Sequence, residues 1–306
     1  EDKIRDFVKS QICSDFPQVY NHFIKQTGLL KPQTLNSLES INLKMLQDEI
    51  DVAYIPYKNG VAQVTKDKVQ LMKYIEVDGY IWDAQILDRD FNYQEESDND
   101  FQDFISKVSN NDVERIKALE SVLGYLTHTY KSKTHQKAII FNDEEISDVA
   151  DGGSGKSLVM VAVSHFRRLV KIDGKKFDLS SDFAYQRVEL DTQVLSFDDV
   201  KRNFNFESLF SLITEGIAVN KKNRDEIFIP FERSPKIVIT TNYVINGTGS
   251  SHSRRRHEVE FNQYFNESRT PEDEYGRMMF DSDSWNDEDW IKFDNYMIKN
   301  IQLFLN

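Results

Sequence analysis

The chain has 306 residues, 39% hydrophobic and 29% charged; this length holds two domains or one larger domain with appendages, and the composition excludes disordered and fibrous classes. Its 38 basic and 51 acidic residues give a net charge of −13, which argues against a uniformly basic nucleic-acid binder. The single cysteine, Cys13, excludes an internal disulfide framework and a cysteine-cluster zinc site, and no apolar run reaches the ~18–20 residues of a membrane helix. The first residues, EDKIRDFVKS, have neither the basic end nor the apolar stretch of a signal peptide, so a cytoplasmic setting without membrane contact is expected. The chain starts without Met and stops in IQLFLN, which leaves room for a longer parent protein.

Residues 1–47 carry helix-like apolar spacing (Ile4, Phe7, Val8, Ile12, then Val19, Phe23, Ile24) interrupted near Pro17 and Pro32, and are expected as a small helical unit. Over 48–95 the runs VAYIPY, GVAQV, YIEV and GYIWDAQIL are rich in β-branched and aromatic residues and separated by Lys-Asn-Gly and Asp-Gly turns, which predicts strands and hairpins. The acidic FNYQEESDNDFQD reads as a linker, and the apolar residues from Val113 to Tyr130 recur at helical spacing. Residues 96–136 are therefore a linker and helical lead-in.

From Lys137 the rhythm becomes strand, helix, strand: AIIFND, then SLVMVAVSHFRRLV as a helix, then TQVLSF and KIVITTN. Short, nearly continuous apolar runs suit strands buried on both faces, and intervening helices imply a parallel sheet. An α/β core is expected over 137–262, with an acidic helical segment over 263–306 that either packs on a neighbour's basic face or binds a replication partner. Charge follows this division: Lys156–Arg256 holds 17 basic against 12 acidic residues, net +5, and Glu258–Asn306 holds 4 against 12, net −8. A local basic surface is thus compatible with an acidic total.

The sharpest motif is Ala150-Asp151-Gly152-Gly153-Ser154-Gly155-Lys156-Ser157 before an apolar helix. Glycines let successive N–H groups turn toward a polyphosphate, a helix N-terminus favours its charge, Lys156 suits the outer phosphates and the Ser157 hydroxyl suits Mg²⁺. Gly152, Gly153, Ser154, Gly155, Lys156 and Ser157 are the candidate nucleotide ligands. Ala150 stands where the consensus has its first glycine, and EEISDVA separates the loop from AIIFND, so the loop entry departs from the common form.

Val194–Phe197 leads into Asp198 and Asp199, a strand end where one acid can orient the water shell of Mg²⁺ and its neighbour can polarise the attacking water. Ile237–Thr241 leads into Asn242, placed to hydrogen-bond that water. Downstream, Arg254, Arg255 and Arg256 offer guanidinium forks for a transferring phosphoryl group, a role often filled from a neighbouring subunit. Between them, GIAV and EIFIP flank a basic tip with Lys221, Lys222 and Arg224, a hairpin suited to following a phosphate backbone without reading bases. Gly153-Ser154-Gly155 is no nucleophile elbow, since Lys156 stands where a second glycine is required. The six histidines show no metal spacing; His252 and His257 read as surface residues, and the aromatic content reads as core.

These elements, in this order over roughly Lys137–Phe261, resemble the superfamily 3 helicases of the AAA+ class, in particular the helicase part of virus- and plasmid-type primase-helicases. SVLGYL upstream and SWNDEDWIKFDNYMI downstream also resemble family members. The resemblance implies an AAA+-like P-loop NTPase core, ATP and Mg²⁺ as cofactors, single-stranded DNA as partner, hairpin tips in a ring's pore, and a homo-oligomer, expected as a hexamer. It implies an ATP-driven translocase of viral or mobile-element replication, with a primase domain or other replication protein as a further partner. Two alternatives stand beside it: a non-helicase P-loop ATPase acting as a switch or assembly module, and a nucleotide-binding domain that has lost hydrolysis.

Overall fold

A computed structural model of the chain describes residues 6–26, 28–35, 37, 39, 43–96, 98–144 and 153–306. It divides into two compact units, Glu1–Lys44 and Met45–Asn306. The first unit holds a π-type turn over Val8–Ile12 and short helices over Pro17–Lys25 and Pro32–Leu35. Pro17 opens its helix, where the missing N–H costs nothing.

The second unit begins with an antiparallel sheet, β1 (Ala53–Tyr57), β2 (Gly60–Val64) and β3 (Val69–Met72), with Tyr57 paired to Gly60 across the Lys58-Asn59 turn. The expected strands over YIEV and GYIWDAQIL are instead 3-10 turns at Tyr74–Glu76 and Asp83–Gln85. Glu76 Oε2 accepts the Lys73 N–H at 2.8 Å, a local bond that replaces a ladder bond, and Ile75 is 92% exposed, so no buried face rewards an extended strand here.

Helices α1 (Asp100–Val108) and α2 (Val113–Thr127) follow, opened by Asn99 and Asp112, whose side chains accept free N–H groups of the first turn. The acidic segment before α1, expected as a linker, is fastened along the last helix of the chain. Asn295 Nδ2 donates to Asn92 O and Asn295 Oδ1 accepts the Gln94 N–H.

The central sheet is parallel and five-stranded, in the order β10 (Arg256–Phe261), β4 (Ala138–Asp143), β9 (Lys236–Thr240), β6 (Val194–Asp198), β5 (Leu169–Asp173). Alternate residues enter two cores, as the two-residue period of a strand requires. Ile139, Phe141, Val194 and Val238 face one, while Ala138, Ile140, Leu195, Phe197, Ile237 and Ile239 face the other. The parallel α/β core expected from sequence is therefore present.

On one face lie β1–β2, α1, α2, α3 (Lys156–Ser164) and α7 (Asp287–Leu305). The other face carries α4 (Phe210–Thr214) and the hairpin β7 (Gly216–Val219) and β8 (Ile227–Pro230). Two short helices, α5 (Ser250–Arg255) and α6 (Pro271–Tyr275), flank β10 in sequence.

One expectation is corrected in this core. The helix read through SHFRRLV ends at Ser164, and Leu169–Asp173 is the edge strand β5. The reason is Arg167, whose side chain is drawn inward to the Thr127 and Tyr54 carbonyls and to Asp48, turning the chain out of the helix. In the acidic C-terminal segment, α7 buries Phe293, Tyr296, Met297, Ile298 and Ile301, and its acids sit mainly in the first turn, where the helix dipole favours them.

Helix α7 lies against α2 at Gly124, where an added Cβ would stand 2.0 Å from the Asn300 carbonyl oxygen. Gly124→Ala is expected to force the helices apart, with a loss of about 2 kcal/mol or more and a Tm lowered by several degrees in calorimetry. An unchanged Tm would show that the helices can separate without cost.

Candidate nucleotide and metal site

The described part of the phosphate loop starts at Gly153. Gly152, a predicted ligand, lies outside the described residues, as do Ala150 and most of the EEISDVA insertion. Gly153 and Gly155 have φ of 104° and 95°, values that side-chain-bearing residues rarely adopt. Gly155 is doubly constrained: a Cβ there would lie 2.5 Å from the Phe104 ring, which is itself stacked on Phe265 at 5.2 Å. Gly155 caps α3 directly, so the unsatisfied N–H groups of the helix open toward the loop.

Lys156 is the first residue of α3 and is buried. Its Nζ donates to Asp143 Oδ1 at 2.5 Å and to Ser154 Oγ at 3.0 Å. Burial pulls this ammonium below its ordinary range, while Asp143 and, more weakly, Asp199 oppose that shift. Asp143 ends β4 and is itself buried, so the strand and the loop that follows it supply the two halves of one ion pair.

β6 ends at Asp198. Thr240 Oγ1 donates to Asp198 Oδ1 at 2.9 Å and accepts the Asp199 N–H at 2.8 Å. One hydroxyl from β9 thus fixes both acids. Asp199 has φ 54°, a left-handed conformation that strains a non-glycine residue by about 1–3 kcal/mol and is held here by the flanking Val200 N–H to Thr240 O bond. Asp198 meets Lys171 at 2.6 Å and Asp199 meets Lys175, both lysines being more than half exposed.

Gly153–Leu158, Asp198, Asp199 and Thr240–Asn242 line one cavity of about 450 Å³. The loop, the twin acids and the strand-end Asn242 therefore share one space, at the carboxyl ends of three parallel strands, where ligands of open α/β sheets bind. Sequence reasoning missed Asp143, Thr240 and a far wall formed by Thr270, Pro271, Glu272, Met278 and Met279. Asp143 and Thr240 end their apolar strand runs, and that position was their only available signal. The far wall carried none.

The donor set suits a hard cation. A hydroxyl and two carboxylates open on one cavity, leaving the remaining positions to phosphate oxygens and water, as Mg²⁺ prefers. Among the described residues no group of three or more His, Cys, Asp or Glu is arranged to hold a metal unaided. The exposed lysines now on the acids are weak, exchangeable partners.

Arg254, Arg255 and Arg256 are not in this cavity. Arg256 pairs in register with Ala138, at the start of β4, whereas the loop follows the end of β4 at Asp143. Five residues of strand, about 17 Å, separate the two ends. Arg255 lies over the Phe210 ring at 4.6 Å, Arg256 donates to Ile245 O at 3.0 Å, and Lys137 Nζ donates to Ser253 O and Arg256 O at 3.2 and 3.3 Å. His252 corrects another expectation: it is buried beside Phe206 and Phe210, with Nε2 on Glu207 at 2.9 Å, while His257 is exposed.

The hairpin β7–β8 forms with the expected basic tip, but Lys221 is not free there. Its side chain is only 11% exposed and pairs with Glu189, leaving Lys222 and Arg224 as the exposed cations.

No protein-family model matches the chain, and no curated protein matches it. Solved structures do. An apo structure of the NrS-1 C-terminal region aligns with TM-score 0.45 and 12% identity over 84% of this chain and 66% of that one, and a second with 0.41 and 14% over 83% and 66%. A JCV helicase aligns with 0.36 and 12% over 67% of this chain and 52% of that one. By the strand order and the cavity of the chain itself, the fold is a P-loop NTPase-type α/β core, as the resemblance to superfamily 3 helicases led one to expect. No described helix is long and apolar enough to cross a membrane.

Gly155→Ala should weaken binding of a fluorescent ATP analogue by at least about tenfold, through both the positive φ and the Phe104 contact. Titration by anisotropy reads this; unchanged affinity would mean that the loop does not contact the nucleotide.

Proposed function

We propose that the chain is a Mg²⁺-dependent ATPase that moves along single-stranded DNA as part of a ring-forming replicative helicase of a virus or mobile element. One observation supports this most: the glycine loop, Lys156, Ser157, Asp198, Asp199 and Asn242 line a single cavity. The loop N–H groups and the N-terminus of α3 receive the phosphates. Lys156 meets the outer phosphate with the N–H that its bonds to Asp143 and Ser154 leave over, so neither buried charge is stranded. Ser157 and Asp198 hold magnesium, which when bound neutralises phosphate charge and aligns the reacting groups. Asp199 polarises the attacking water and Asn242 orients it.

The Arg cluster lies too far along the sheet to reach its own cavity, which favours action on a neighbouring copy. A hexameric ring, with Lys222 and Arg224 of each hairpin toward the strand in its centre, is the arrangement we infer. A primase or other replication protein would be a further partner.

ATP turnover measured with and without single-stranded DNA tests the assignment. Lys156→Ala should abolish turnover in both conditions, and retained turnover would remove the loop from the mechanism. The double variant Lys222→Ala, Arg224→Ala should keep basal turnover and lose most DNA stimulation. Full stimulation with an unaltered salt dependence would separate the hairpin from DNA and favour a switch ATPase.

Mixing an Arg254→Ala, Arg255→Ala, Arg256→Ala variant with wild type should depress turnover more steeply than dilution, because each variant chain disables a neighbour. A strictly linear loss would show that the arginines act within one chain.

A further inference from the structure

At the opposite end of the sheet from the nucleotide cavity is a larger one, about 610 Å³, between the segment Thr129–Thr134, the outer end of β8 and the turn around Trp82. Nothing in the ATPase reading uses it. Its size falls in the usual range for small-ligand pockets, roughly 300–1,000 Å³, wide enough for an unpaired base and too narrow for a duplex.

Its walls combine aromatic surface with positive charge. Trp82 is 39% and Phe228 61% exposed, both lining the cavity, and Tyr130 joins them. The cations are Lys131, Lys133 and Arg233; the facing acids are Glu232, 3.8 Å from Lys133, and Asp48, which is occupied by Arg167 and by the N–H groups of Tyr54 and Thr129. Lys131 Nζ donates to Ser234 Oγ at 2.7 Å and stands over the Phe231 ring at 4.4 Å. Burial brings its pKa down to about 7, with Glu232 opposing, so a phosphate group would restore its proton.

The cavity is continuous with the hairpin. Phe228 is on the outward face of β8, and Lys221 fastens the tip to Glu189, the neighbour of the cavity residue Leu190. We propose that this cavity is a nucleotide subsite, in which a base of the single strand stacks on Trp82 and Phe228 while its phosphate meets Lys131, Lys133 and Arg233. Stacking with flanking cations is how strands are held without sequence preference. The proposal rests on the DNA-track reading and adds a specific place where the strand leaves the hairpin.

The test uses the full chain with oligo(dT), reading tryptophan emission, anisotropy and basal ATP turnover together. Strand binding should quench emission in wild type and not in Trp82→Phe. Phe228→Ala should weaken strand binding about tenfold, and Lys133→Ala with Arg233→Ala should reduce the salt slope by about 1–2. All four substituted positions are half-exposed or exposed and outside the ATP machinery, so melting temperature and basal turnover should hold.

Normal strand affinity in Phe228→Ala, with binding lost only in the Lys222, Arg224 variant, overturns the subsite and leaves the DNA-track reading standing. Thymidine monophosphate quenching as effectively as oligo(dT) overturns it in favour of a free-nucleotide site. A wild-type chain that binds no strand overturns both readings, while ATP turnover reports separately on the nucleotide cavity.

Discussion

Parallel pairing of β4, β9 and β6 is the constraint on which the rest of the molecule depends. Because the three strands run the same way, Asp143, Thr240 and Asp198 finish at one edge, and the segments that leave them share one space. Backbone polarity does this work against the side chains, since the two carboxylates, Asp143 and Asp198, repel. Register is protected by burial on both faces: a one-residue slip of β9 would send Val238 into the wrong core and Ile237 and Ile239 into the other. The chemistry-bearing residues are thus positioned by apolar residues that take no part in it.

The acids at that edge are each met by a lysine, but in two different ways. Lys156 and Asp143 are both buried, and removing either would strand a charge away from water, a loss of roughly 3–5 kcal/mol. Lys171 and Lys175 reach Asp198 and Asp199 from solvent and are weakly held. The inner pair is closed off from water, whereas the ammoniums on the outer acids lie in solvent, where such pairs contribute little. Thr240 holds the outer acids independently of those lysines, because its bonds go to one carboxylate oxygen and one backbone N–H.

Much of this was legible in the sequence. The runs AIIFND, TQVLSF and KIVITTN announced buried parallel strands, GIAV and EIFIP announced the hairpin and helical spacing announced α2, whereas α1 begins inside the acidic stretch read as a linker. The glycines, Lys156 and the twin acids identified the cavity before its geometry was known. What stayed hidden depends on long-range contacts. β5 was masked because SLVMVAVSHFRRLV has no glycine or proline to mark a break, and only the inward pull on Arg167 shows where the helix stops. Ile75 and Tyr80 have strand-like composition but face solvent, so composition misled there. Lys221 reads like its neighbour Lys222 until Glu189, more than thirty residues earlier in the chain, is placed beside it.

The helix that follows the phosphate loop links the two ends of the sheet. Its start is set by Gly155 against Phe104 and by Lys156 on Asp143; beyond its end, Arg167 donates to the Thr127 and Tyr54 carbonyls and pairs with Asp48. Arg167 is fully buried, so those bonds cannot be exchanged for water without leaving an isolated charge. Asp48 also accepts the Thr129 N–H, two residues before Lys131. The segment Thr129–Thr134 walls the second cavity. The helix that starts at the phosphate-loop edge and the segment that walls the second cavity at the other edge are thus tied to the same buried Arg167–Asp48 pair.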